Sequence, residues 1–258
     1  MDNLNKIRRY ELKYFIDEGL AERIRDHISG FCRLDIHVPA GYNSYLVNNL
    51  YFDTADLRFY YDTKFRKLPR FKTRARFYGE QFTDYIWPEL KYKQGRVVWK
   101  IRERLTRAEW QNYFKVQLFP DLLREIQPAL GNFREAVYWF DAKPTIMVRY
   151  SREPYVSLID NYARITFDRQ LRYWYPVTSL SLDFQEKDSI YYDDPVTARA
   201  DIAGVILEIK VETLIPKWVV NLIRKFNLVQ RPFSKYCYSI DHVLEYRNCL
   251  PRQSIIWK

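Results

Sequence analysis

Few residues in this chain could form a covalent or metal-ion framework. Its 258 residues include three cysteines, Cys32, Cys237 and Cys249, none in C-x-x-C spacing. An odd count without that spacing argues against a disulfide scaffold and fits a reducing compartment. The three histidines, His27, His37 and His242, show no H-x-x-x-H pairing and no cysteine at ligand spacing, which argues against a zinc site. Neither G-x-x-x-x-G-K-[ST] nor G-x-S-x-G occurs, so P-loop and nucleophile-elbow chemistry lack their elements. Seven glycines and twelve prolines are scattered, with no linker, low-complexity tract or repeat of roughly 20–50 residues. One domain over residues 1–258 is expected, with a core from about 6 to 246 and a short tail over 247–258. There is no run of about 18 apolar residues. The N-terminal "MDNLNKIRRYELKY" has no apolar segment of a secretory leader. The expected location is cytoplasmic, without a transmembrane segment. A membrane-protein partner, a peripheral place at the inner face of the membrane and the oligomeric state stay open.

What is abundant is aromatic and cationic. Hydrophobic residues make up 47% and aromatics 17%, enough to exclude widespread disorder. Lys plus Arg is 42 against 32 Asp plus Glu, a formal charge of +10. That excess points to an anionic partner without choosing among nucleic acid, phosphate compounds and an acidic membrane surface.

The cations are patterned. In "RFKTRARFYGE", Arg70, Lys72, Arg74 and Arg76 alternate with Phe71, Thr73, Ala75 and Phe77, as on the two faces of a strand. Residues 8–16, 86–93, 97–104 and 204–212 repeat the theme, and 45–53, 145–150, 155–160 and 162–168 also read as strands. Glu11, Glu89 and Glu208 each precede a lysine by two positions: Lys13, Lys91 and Lys210. Helices are expected over 17–29, 56–64, 107–115, 121–130 and 217–228, with a short one after Phe233. The fold class is α+β: a mainly antiparallel sheet with peripheral helices. Closing about eight strands into a barrel with the charged faces inward gives a cationic lumen. Such a lumen repels itself unless an anion fills it, and its few carboxylates suit a hard divalent cation bridging to that anion. Phosphate opposite Arg74 and Arg76 follows. Asp53 and Thr54 read as caps for the next helix. The basic segment "KWVVNLIRKF" reads as core packing with a solvated Lys/Arg face rather than a membrane contact.

Eight segments, "RRYELKY", "LYFDT", "RFKTRARFYG", "ELKYK", "VRYSREPY", "ARITFD", "LEIK" and "RPFSKY", occur in this order over residues 8–238. Together they resemble the catalytic domain of the vacuolar transporter chaperone (VTC) family, within the triphosphate tunnel metalloenzymes. The resemblance implies a closed antiparallel eight-stranded β-barrel with peripheral helices. It also implies an ATP-dependent polyphosphate polymerase using Mn²⁺ or Mg²⁺, with ATP and inorganic polyphosphate as partners and no nucleic acid. By the same resemblance Lys13, Arg74, Arg76, Lys91, Lys100, Arg149 and Arg164 bind or act on the phosphates. Ser234 and Lys235 make late phosphate contacts. Glu208 is the metal ligand, and Glu11 is a second candidate. Arg149 and Arg152 cannot share a strand face unless a bulge intervenes; Arg149 fits the pattern, so Arg152 is expected outside. The superfamily's opening E-x-E-x-K reads Arg9, Glu11, Lys13 here, which weakens the triphosphatase and cyclase readings and suits a longer polyanion. A hydrolase on the same tunnel and a non-catalytic polyphosphate binder remain alternatives. A nucleic-acid-binding barrel is disfavoured, because Phe71, Phe77, Tyr10 and Tyr14 alternate away from the cations rather than among them.

Overall fold

The computed structural model describes residues 10–82, 84–94, 97–115, 133–160, 162–191, 204–212 and 215–249. The β-branched and aromatic alternation becomes eleven strands of one antiparallel sheet. They are β1 (Tyr10–Ile16), β2 (Cys32–Leu34), β3 (Tyr45–Asp53), β4 (Arg70–Tyr78), β5 (Tyr85–Gln94), β6 (Val97–Arg102), β7 (Leu105–Thr106), β8 (Lys143–Ser157), β9 (Arg164–Trp174), β10 (Ile190–Tyr191) and β11 (Val205–Val211). The helices are α1 (Glu18–Ile28), α2 (Arg58–Lys64), α3 (Arg107–Asn112), α4 (Phe133–Trp139), α5 (Lys217–Lys225) and α6 (Lys235–Cys249). The expected strands 145–150 and 155–160 are one continuous β8, and α4 was not anticipated. The helix expected over 121–130 lies outside the described residues.

The main hydrogen-bonded order is β1-β11-β9-β8-β3-β4-β5-β6. β1 and β6 are its two edges, so the sheet is not the closed barrel expected. It nevertheless curls: Lys91 of β5 and Glu11 of β1, far apart in that order, approach to 4.0 Å. The free edge of β1 is partly covered by the chain after α5, where the Arg231 N–H donates to the Lys13 carbonyl at 2.9 Å. Such cover blunts an edge without strand pairing.

Apolar residues outside the curl form two cores. Leu50, Phe52, Phe71, Ala75, Phe77 and Leu90 pack under Trp110 of α3 and Phe133, Ala136 and Val137 of α4. Tyr14, Ile16, Ile165, Phe167, Leu207 and Ile209 pack under Ala21, Ile24 and Ile28 of α1 and Val219 and Leu222 of α5. "KWVVNLIRKF" is therefore built into a core through its apolar side, as its pattern suggested. A third core lies inside the curl. There Tyr236, Cys237, Ile240 and Val243 of α6 cover Val47, Tyr51, Val148, Tyr150, Leu171 and Tyr173. The enclosed face is thus divided into an apolar part under α6 and a charged part.

Asp53 ties α2 and α6 to the sheet. Its carboxylate accepts from the N–H groups of Thr54 (2.7 Å), Phe59 (2.8 Å) and Tyr60 (2.9 Å) and from the Tyr236 hydroxyl. The capping role read from the sequence is what it performs; Leu57, in the N-cap position with φ 58, supplies no side-chain cap. Burial nonetheless pushes the Asp53 carboxyl up, against these four donors. Asp53→Ala strands those donors and is expected to cost about 3 kcal/mol. Urea unfolding checks this; a loss under about 0.5 kcal/mol would contradict the assignment.

Candidate functional site

Residues directly opposite in an antiparallel pair share a face. Lys13 faces Glu208 and Glu11 faces Lys210 between β1 and β11. Arg152 faces Asp168 between β8 and β9. Arg74 faces Glu89, and Lys72 faces Lys91, between β4 and β5. The odd-even pattern of separate segments therefore assembles one charged surface inside the curl.

At its centre sit two buried carboxylates. Asp168 accepts two bonds from Arg152, both 2.7 Å, and pairs with Lys235 at 2.6 Å. Glu208 meets Lys235 at 3.1 Å, Lys13 at 3.3 Å, Arg152 at 3.4 Å and Lys210 at 3.6 Å. Burial opposes ionisation of both carboxyls, but these cations hold Glu208 well below the usual range and Asp168 below it. Lys235, on the first turn of α6, is desolvated yet held above the usual lysine value by Asp168 and Glu208.

A second knot surrounds Glu89, which is 2% exposed. It accepts from Arg74 Nε at 2.7 Å and pairs with Lys100 at 2.8 Å and Arg102 at 3.4 Å. Burial brings Lys100 down to about 8 despite Glu89. Arg76 and Lys72, beside it, have no carboxylate within ion-pair distance among the described residues, although Arg76 helps to hold Glu89 ionised. Arg76 donates to the Asn49 amide oxygen at 2.9 Å. Lys72 donates to the Ser234 hydroxyl at 3.0 Å, and burial, with Lys13 and Lys91 nearby, lowers it to about 7.

Of the residues expected from sequence, Lys13, Arg74, Arg76, Lys91, Lys100, Glu208, Glu11, Ser234 and Lys235 converge on this surface. Arg164 shares its face by register, opposite Lys210, but is exposed. Arg149 is a correction. Val148, Tyr150 and Arg152 point inward, so Arg149 points outward. It bonds there to Asn48 at 2.5 Å, Glu186 at 3.1 Å and the Glu80 carbonyl at 2.9 Å. Arg152, expected outside, is the inward arginine. β8 itself has no bulge in this stretch. Two steps of β8 (Arg149 to Ser151) match three of β9 (Arg172 to Arg169). The extra residue therefore lies on β9, where Gln170 has φ 55.

Arg152, Asp168 and Lys72 were not assigned site roles from the sequence. Strict parity along one long strand places Arg152 with Tyr150; splitting β8 in two hid it. Asp168 shares parity with Thr166 and Arg164, and that signal was present. Lys72 belongs to the opening alternation.

A divalent cation fits here only in part. Glu11 and Glu208 converge, since both lie within 3.8 Å of the Lys13 ammonium. No group of three or more His, Cys, Asp or Glu forms a metal cage among the described residues. Two carboxylates suit an ion that takes its remaining oxygens from phosphates and water.

Fold and site together define a curled-sheet domain whose inner face carries an excess of cations. The chain belongs to the VTC domain family, whose family model matches residues 8–244. That membership supports a polyphosphate- or triphosphate-related, phosphoryl-handling activity. No curated protein matches. Among solved structures, a provisionally assigned adenylate cyclase from Bacillus halodurans is 15% identical, with a TM-score of 0.47, covering 88% of this chain and 94% of that one. Another from Vibrio parahaemolyticus is 10% identical, with a TM-score of 0.46, covering 91% and 99%. Likenesses this low bear on neither fold nor reaction here. No helix among the described residues is long and apolar enough to cross a membrane.

Lys72 yields a prediction. It is charged below about 7 and neutral above, and a bound anion favours the charged form. Tripolyphosphate binding near pH 8 is therefore expected to take up a proton, and affinity to fall as pH rises through about 7 to 8. Calorimetry in buffers of different ionisation enthalpy reads the uptake. It should shrink in Lys72→Arg without vanishing, because Lys100 and Lys210 are also lowered to about 8; no uptake in the unaltered protein, or an unchanged uptake in the variant, would refute the expectation.

Proposed function

We propose that this chain is an ATP-dependent polyphosphate polymerase, with ATP's triphosphate lying on the charged surface inside the curl. The observation that supports it best is the excess of cations there, with no carboxylate within ion-pair distance of Lys72 or Arg76 among the described residues. An enclosed surface of that kind is complementary to a dense polyanion. Phe71, Phe77 and Tyr14 are buried in cores away from it; Tyr51 and Trp87 lie beside Arg74 and Arg102, so the choice of phosphate rests on the cations rather than on a lack of aromatics.

Phosphoryl transfer is mostly a matter of position and charge, because its transition state is loose. Arg74 and Arg76, adjacent by register to Tyr51 and Asn49, grip the phosphates. Lys13, Lys91, Lys100 and Lys235 offset the negative charge that builds on phosphate oxygens. Ser234 contributes a hydroxyl beside Lys72. The terminal oxygen of the growing chain attacks the γ-phosphorus in line. One P–O bond forms, the bond from that phosphorus to the β–γ bridging oxygen breaks, and ADP leaves with the electron pair. Mn²⁺ or Mg²⁺ held by Glu208 and Glu11 together with phosphate oxygens would supply Lewis-acid polarisation. Arg149 has no part in this; its contacts brace the outer face. Arg152 holds Asp168 and Glu208, and so positions Lys235.

Incubation with ATP and Mn²⁺, followed by gel separation, tests the reading. Long phosphate chains with ADP are expected. Free phosphate alone would establish a hydrolase on the same surface, and tight polyphosphate binding without turnover a non-catalytic binder. Arg74→Ala should lower kcat/KM by roughly 30-fold or more, corresponding to a loss of at least about 2 kcal/mol. Glu208→Ala should slow turnover and disturb its metal dependence.

A further inference from the structure

Charge compensation along β4 is uneven. Arg74 is locked to Glu89. Two residues along, Lys72 has only the Ser234 hydroxyl. Two further, Arg70 faces Lys93 across the β4–β5 ladder, and Arg70's guanidinium donates only to the Lys67 carbonyl, at 3.4 Å. Arg66, in the turn just before β4 with φ 56, adds a third cation. Arg70 and Lys93 are half-buried and held below their ordinary values by burial first; next comes Arg66 for Arg70, and Arg70 followed by Lys91 and Arg66 for Lys93. No carboxylate pairs with Arg66, Arg70 or Lys93 among the described residues. The repulsion in this rim is offset by nothing described in the fold, unlike the knots at Glu89 and Glu208.

We propose that Arg66, Arg70 and Lys93 form an outer phosphate subsite, at the mouth of the charged surface, that holds an inorganic polyphosphate chain longer than three phosphates. This rests on the central reading above. By strand rise, Arg70 lies about 13 Å from Arg74. Each added phosphate spans no more than two P–O bonds, so a triphosphate gripped at Arg74 and Arg76 ends short of the rim. A longer chain runs past Lys72 and Ser234 and out between Arg70 and Lys93. The rim thereby discriminates polymer from nucleotide and fixes the mouth through which the chain extends.

The test compares two probes, tripolyphosphate and a polyphosphate of tens of units, on the full chain and on an Arg70→Gln/Lys93→Gln double variant. For the long probe, affinity should fall about 10-fold or more. The slope of log affinity against log salt should flatten by about 1.5 units, as two phosphate contacts are lost. Tripolyphosphate affinity should stay within about twofold. An Arg70→Lys/Lys93→Arg exchange should restore long-chain binding, which shows that charge rather than folding is read. Equal losses on both probes, or none on the long one, would overturn the rim site. Absence of tripolyphosphate binding by the unaltered protein, with rim-dependent retention of the long chain, would instead overturn the central reading alone.

Discussion

Like charges drawn together on the inside of a curled sheet repel, and three buried carboxylates, Asp168, Glu208 and Glu89, hold that repulsion in check. Each is desolvated, which alone would favour the protonated form; each stays ionised because two or more cations converge on it. Neither partner is stable there without the other, since an unpaired buried charge costs several kcal/mol. The inner surface is therefore a salt lattice with vacancies rather than a uniform coat of positive charge. Where the lattice is complete it fixes β1, β8, β9, β11 and α6 relative to one another. Where it is incomplete, at Arg76, Lys72 and the Arg70 rim, the cations have only neutral hydrogen-bond partners among the described residues.

The sequence pattern carried much of this. Alternation in "RFKTRARFY" set that strand to the residue, because one face is buried in an aromatic core and the other is charged, so a one-residue slip would invert both; "YLVNNLYFD" was bounded instead by its aromatic and β-branched run, being buried on both faces. The acidic first turn of α1 and Pro216 before α5 marked those helices. Closure was not legible: whether β1 meets β6 depends on curvature and on the segment at Arg231, neither of which leaves a periodic trace. Arg149 went astray because the two arginines differ by three positions, so choosing the wrong one reverses its face. Strict alternation through Tyr150 and Pro154 decides between them. The pairing of Asp168 with Arg152 joins different strands and could be placed only once the register was known.

α6 links the apolar and charged parts of the inner face. Its first residue, Lys235, inserts into the carboxylate pair, and the next, Tyr236, turns to Asp53 and stacks on Tyr51 at 4.7 Å between ring centroids. One helical turn therefore joins the polar lattice to the hydrophobic interior. The serine just before it, Ser234, meets Lys72 on β4. Motion of this helix start would change the central carboxylates and the Lys72 corner together.

The single extra residue at Gln170 has a wider meaning. It resets the phase of β9, so that Thr166 and Asp168 belong to the ionic lattice while Leu171 and Tyr173 belong to the oily interior beneath α6. An uninterrupted strand of the same composition would carry Gln170 and Arg172 toward the interior and turn Tyr173 to the outside. One inserted amide unit thus lets one strand serve two chemically incompatible neighbourhoods in succession, and the boundary between wet and dry inside this protein is drawn by a count of residues rather than by their kind.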